Sequence, residues 1–64
     1  MEPTPDQLRE LYLIGRELTA QLRCYIRLID LLPNRELCIV IQPRELSSQR
    51  MIIYIDPNGD RRYV

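Results

Sequence analysis

Residues 4–32, TPDQLRELYLIGRELTAQLRCYIRLIDLL, decide the fold that this sequence predicts. Their apolar side chains recur at alternating intervals of three and four, which is the spacing of one face of an α-helix. If Leu8 is placed at heptad position a, the a and d positions are Leu8, Leu11, Gly15, Leu18, Leu22, Tyr25, Ile29 and Leu32. The pattern therefore predicts one long amphipathic helix over about residues 5–32.

Both ends of this predicted helix carry recognisable signals. Thr4 and Gln7 have the spacing of a capping box, with Pro5 at the first helical position. Pro33 marks the end, because its ring disfavours helical geometry at the preceding residue. Gly15 lies in the interior, where glycine costs about 1 kcal/mol relative to alanine. No turn residues accompany it, so we expect the helix to continue, with a break at Gly15 as the alternative.

The second half of the chain alternates apolar and polar residues with the period of β-strands. Strands are predicted over about residues 36–42, 50–56 and 61–64. A turn at residues 57–59, Pro-Asn-Gly, joins the last two, because proline presets the first turn residue and glycine accepts positive φ. The expected fold is α+β: one long N-terminal helix followed by a three-stranded antiparallel meander, in one domain spanning residues 1–64.

The predicted helix is about twice as long as the predicted strands, so part of its apolar stripe extends beyond the sheet. A 64-residue chain also buries little surface by itself, and oligomerisation is a common remedy. We therefore predict a homodimer through the helix, with parallel and antiparallel pairing both open. The predicted interface residues are Leu8, Leu11, Gly15, Leu18, Leu22 and Tyr25.

The composition argues against an enzyme. The chain has no histidine, and all nine of its basic residues are arginine, which removes the commonest general base, metal ligand and amine nucleophile. Cys24 and Cys38 therefore have no histidine to activate them and are expected to act as small apolar residues. The oxygen-bearing residues 56, 58 and 60 resemble the start of a calcium loop, but Arg61 stands where that loop requires glycine. We predict no catalytic, cofactor or metal site.

The predicted function is protein–protein interaction or regulation, with a partner protein meeting the sheet or the 43–49 connection. A dimeric nucleic-acid-binding protein is the alternative, using an arginine-flanked β-hairpin with Arg44, Arg50, Arg61 and Arg62. The nine basic and nine acidic residues disfavour it, because nucleic-acid-binding proteins are usually basic.

A cytoplasmic location without membrane association is expected. No apolar run approaches the ~20 residues of a membrane span. The polar face of the helix mixes acidic residues with arginines, unlike an interfacial helix. Two cysteines without a pairing pattern are typical of a reducing compartment.

Overall fold

The computed structural model describes residues 2–45 and 48–64, so two residues of the 43–49 connection lie outside the description. The described chain forms one helix and a four-stranded antiparallel sheet with strand order β1-β2-β3-β4. The elements are α1 (Pro5–Gln21), β1 (Cys24–Leu31), β2 (Leu37–Pro43), β3 (Met51–Ile55) and β4 (Arg61–Tyr63). The α+β class is confirmed, whereas the prediction of three strands is wrong.

The helix continues through Gly15 and ends at Gln21, so the prediction of a helix over residues 5–32 is also wrong. Leu22 closes it in the left-handed conformation with φ 57°, and its N–H donates to the Leu18 carbonyl at 3.0 Å. Residues 24–31, predicted as helix, form β1 instead.

A bulge in β1 explains why this strand looks helical in the sequence. Ile26 pairs with Ile41 and Leu28 pairs with Val40, so Arg27 is an extra residue between them. Beyond the bulge, Ile29 pairs with the buried Ile39. The side chains that share the core face of β1 therefore lie at 24, 26, 29 and 31. The interval of three residues between 26 and 29 resembles the spacing of apolar residues on a helix.

The helix packs on one face of the sheet. Ile14 of α1 is buried with five residues of the two central strands, Leu37, Ile39, Ile41, Ile53 and Ile55. Leu11 and Leu18 of α1, together with Cys24, Ile26 and Leu31 of β1, pack around this cluster. The alternating burial along β2 follows from this one-sided packing, because successive strand residues point to opposite faces.

The N-terminus of the helix is fixed to the sheet by a polar side chain. The predicted capping box is present: the Gln7 N–H donates to Thr4 Oγ1 at 3.1 Å, and the Thr4 N–H donates to Gln7 Oε1 at 2.9 Å. The Gln7 amide nitrogen also donates to the carbonyls of Ile55 at 2.9 Å and Arg35 at 2.7 Å. Gln7 is only 1% exposed, so one buried amide joins the helix start to β3 through Ile55 and to the turn between β1 and β2 through Arg35.

The predicted turn between the last two strands also contacts the helix start. Gly59 adopts φ 90°, and its N–H donates to the Asp56 carbonyl at 2.9 Å. A Cβ atom at Gly59 would lie 3.1 Å from the Cβ of Asp6. Glycine is required here both by the positive φ and by the close approach of the helix.

Candidate functional site

The outer strand β1 leaves three large apolar side chains exposed. It is eight residues long, and in the described chain it pairs with β2 alone. Tyr25 is 41% exposed, Leu28 53% and Ile29 47%. The other outer strand, β4, has three residues and begins with two arginines. β1 is thus the longer of the two outer strands and exposes three large apolar side chains, which makes it the candidate interaction surface.

Leu28 and Ile29 extend apolar rows on the two opposite faces of the sheet. Leu28 pairs with Val40, which pairs with Ile52, on the face away from the helix. Ile29 pairs with Ile39 on the core face, and Ile39 is fully buried. Each row therefore ends on β1 with a half-exposed side chain.

The six residues of the predicted helical interface divide into separate groups. Leu11 and Leu18 pack against the chain's own core. Leu8 and Leu22 are 50% and 71% exposed, but Leu22 lies beyond the end of the helix. Tyr25 belongs to β1, and Gly15 lies mid-helix, where a methyl group on its Cα would point into open space. These six residues do not form one continuous helical stripe.

Gly15 provides a test of whether another helix packs there. We expect Gly15→Ala to raise the free energy of unfolding by about 1 kcal/mol, because alanine has the higher helix propensity and the added methyl meets open space. Urea denaturation followed by circular dichroism measures this. A decrease in stability would indicate that Gly15 is covered by a second chain.

A groove of about 400 Å³ lies between the last turns of the helix and β1. Its lining is mainly apolar but includes one arginine: Gly15, Leu18, Thr19, Leu22, Cys24, Tyr25, Ile26 and Arg44. Tyr25, near the start of β1, thus borders the same groove as the exposed Leu22 at the end of the helix.

Two of the four predicted arginines, Arg61 and Arg62, are engaged in ion pairs within the chain. Arg61 Nε donates to Glu10 Oε2 at 2.8 Å, and its Nη2 donates to Glu17 Oε1 at 3.3 Å. A hydrogen bond to the Tyr63 hydroxyl, reinforced by these carboxylates, raises the pKa of Arg61. Arg62 Nη2 donates to both oxygens of Glu36, at 2.8 and 3.0 Å. Arg61 therefore serves to fasten β4 to the helix.

The other two, Arg44 and Arg50, lie at the opposite end of the sheet. The Arg44 guanidinium lies over the Tyr25 ring, 5.6 Å from its centroid, and the Arg44 N–H donates to the Arg23 carbonyl at 2.8 Å. Arg50 Nε donates to Gln42 Oε1 at 3.1 Å. Arg61 pairs with Ile55, five residues along the strand direction from Arg50, or about 17 Å, so the four predicted arginines do not form a single patch.

The pairing of Glu36 with Arg62 predicts a pH-dependent stability. The hydrogen bond from Arg62, with a second from Asn34, lowers the pKa of the Glu36 carboxyl. This pairing stabilises the fold above the ordinary glutamate pKa of about 4.3 and is lost as the pH falls through the lowered value. In urea titrations from pH 7 to 3, we expect wild type to exceed Glu36→Gln in stability at pH 7 and to lose that advantage below about pH 4. A difference that stays constant with pH would contradict this.

The two cysteines are separate thiols in the structure. Cys24 and Cys38 are free thiols, and burial, assisted by the nearby carboxylates of Asp30 and Glu36, raises the pKa of Cys38. Within residues 2–45 and 48–64, no three potential metal-ligating side chains come together, and no helix is long and apolar enough to cross a bilayer. No family model, curated protein or solved structure matches the chain.

Proposed function

We propose that this protein is a small non-enzymatic interaction module that acts as a homodimer. The observation that carries the proposal is the uncovered apolar surface of β1, where Tyr25, Leu28 and Ile29 are each at least 41% exposed on one outer strand. Large apolar side chains left exposed along an outer strand are typical of a site of protein–protein contact. A second copy of the chain is always present at matching concentration, and most oligomers of soluble proteins are symmetric assemblies of identical chains.

The dimer would give the module the buried surface that a short chain lacks. A chain of this length buries only about 60% of the surface of its unfolded form. Covering the ends of the Leu28 and Ile29 rows in a second copy adds apolar burial at about 25 cal/mol per Å². The rest of the sheet face away from the helix, with Val40 and Ile52 half-buried, would remain available for a partner protein. Free thiols at Cys24 and Cys38 support a cytoplasmic location for such a module.

Sedimentation velocity of the wild-type chain over a hundredfold dilution series tests this proposal. We expect a species of twice the 7.7 kDa chain mass at the higher concentrations, dissociating on dilution if the contact is reversible. A monomer at every concentration, including the highest, would contradict the homodimer.

A second candidate function, nucleic-acid binding, is favoured by one specific arrangement. Arg23, Arg44 and Arg50 lie near the exposed Tyr25 at one end of the sheet. Arginines close to an exposed aromatic ring can contact phosphates while the ring stacks on a base. This arrangement replaces the predicted hairpin patch, in which Arg61 and Arg62 are occupied by carboxylates.

Fluorescence anisotropy with a labelled single-stranded oligonucleotide distinguishes this candidate. Binding that weakens steeply with salt, and weakens further in Arg44→Ala but not in Arg62→Ala, would support it. The matched variant removes an arginine at the other end of the sheet, so it controls for the loss of one charge. An absence of binding at low salt would rule this candidate out.

A further inference from the structure

We infer that the dimer forms by antiparallel pairing of β1 with β1 of a second copy, which joins two four-stranded sheets into one of eight strands. This inference rests on the proposed homodimer and assigns its interface to the strand edge instead of the helix. A two-fold axis perpendicular to the sheet would pass beside Leu28, so that Leu28 lies opposite its equivalent in the second copy.

The backbone provides the first argument. β1 lies at the end of the strand order, so alternate N–H and carbonyl groups along it point away from β2. Natural sheets usually protect such an edge with proline, charged side chains, a bulge or a very short strand. β1 is the longest strand of the described chain and contains no proline, and its one bulge lies at Arg27 in the first half. Residues 28–31, beyond the bulge, pair regularly with β2, so this half of the edge keeps regular strand geometry.

The apolar rows provide the second argument. Antiparallel pairing keeps each face of the sheet on the same side across the two-fold axis, because residues opposite one another share a face. The Leu28–Val40–Ile52 row would therefore continue into the same row of the second copy. In the register that places Leu28 opposite its own copy, the Ile29–Ile39–Ile53 row on the core face is offset along the strand from its equivalent and meets it only diagonally. Leu28 therefore gains an apolar neighbour directly, and Ile29 gains one at a diagonal position.

Charge complementarity identifies a second copy of this chain as the occupant and sets the strand direction. Arg23 precedes β1 and Arg27 lies in its first half, whereas Asp30 lies in its second half, and all three are exposed. In the antiparallel arrangement, the basic half of one strand lies beside the acidic half of the other. Parallel pairing would place like charges together. Such pairs fix orientation more than they add affinity.

The helix offers less than the strand edge for the same purpose. Of the heptad positions within α1, Leu11 and Leu18 already pack on the sheet, which leaves Leu8 and Gly15 outside. Glycine has no side chain to bury, so a helical interface would rest mainly on Leu8 and the 64%-exposed Tyr12. The charge pattern along β1 has no role in that arrangement.

Two lysine substitutions at similarly exposed positions separate these interfaces. We expect Leu28→Lys to raise the dimer dissociation constant by at least about 100-fold, since two leucines leave the interface and two charges enter it. Tyr12→Lys, on the helix, is expected to leave the dimer dissociation constant within about threefold of the wild-type value. Sedimentation velocity measures both, with circular dichroism as a check on folding. The inference is overturned if the dimer persists in Leu28→Lys, or if Tyr12→Lys dissociates it. Either result would leave the proposed homodimer intact.

Cross-linking gives a readout that does not depend on losing the dimer. Cys24→Ser and Cys38→Ser first remove the native thiols, and Leu28→Cys or Tyr12→Cys then adds one new thiol. Residues facing each other across antiparallel strands have Cβ atoms about 5 Å apart, so a short thiol cross-linker should join two chains through Leu28→Cys. Cross-linking through Tyr12→Cys alone would contradict the strand edge. A monomeric wild type would contradict both the inference and the proposed homodimer.

Discussion

Gln7→Ala is expected to lower the free energy of unfolding by about 2–4 kcal/mol. The substitution removes a buried amide that donates to the carbonyls of Ile55 and Arg35 and accepts the Thr4 N–H. Buried carbonyls left without a donor cost about 1–3 kcal/mol, and the lost half of the capping box adds to this. A chain of 64 residues has a total stability of about 3–10 kcal/mol. One polar side chain would thus account for a large share of it.

Gln21→Ala is the matched control for this variant. Gln21 is also a helical glutamine, but it is exposed at the last residue of α1. We expect its substitution to change stability by less than about 0.5 kcal/mol. Urea unfolding of both variants at one protein concentration makes the comparison. Equal effects would mean that the Gln7 bonds to the sheet contribute nothing measurable.

Ile39→Ala is expected to lower the free energy of unfolding by about 2–4 kcal/mol. Ile39 is fully buried on the central strand β2 and faces the helix at the middle of the apolar cluster. Removing three carbon atoms loses their burial and leaves a cavity that the surrounding sheet fills only in part. Thermal and urea unfolding followed by circular dichroism measure the loss.

Ile52→Ala provides the corresponding control on the other face of the sheet. Ile52 lies on β3, pairs with Val40 and is only half-buried. We expect it to cost about 1 kcal/mol, because less apolar area is returned to water. If the two isoleucines cost the same, the helix does not cover the sheet face that contains Ile39.

The beginning of the helix was predictable from the sequence, but its end was not. Thr4, Pro5 and Gln7 are local signals that act within one helical turn, and the structure contains the capping box they predict. The end at Gln21 has no glycine or asparagine to announce it, and Leu22 takes the left-handed conformation instead. The bulge at Arg27 then gives β1 a helix-like spacing. Periodicity could not distinguish a helix from a bulged strand here, because the register that produces the bulge is set by pairing with β2.

The same dependence on tertiary pairing explains why the sequence grouped site residues that the structure separates. The heptad pattern placed Leu8 and Leu11 in one interface. It could not show that Leu11 packs against the sheet whereas Leu8 stays exposed. The predicted arginine patch placed Arg61 together with Arg50. The sequence alone did not show that Arg50 lies at one end of β3 and that Arg61 pairs with the other end. The carboxylates of Glu10 and Glu17 that hold Arg61 lie 51 and 44 residues away in the chain. A signal for β1 did exist in Tyr25, Ile26 and Ile29, because aromatic and β-branched residues favour strands.

Amide hydrogen exchange along β1, recorded at high and low protein concentration, tests the central claim most directly. The amides of β1 that point away from β2 have no partner in the described chain but would donate to the second copy. We predict that these amides exchange slowly at the concentration where the dimer forms and rapidly on dilution, while amides between β2 and β3 stay protected throughout. Dimer formation without any change in exchange along β1 would contradict the account.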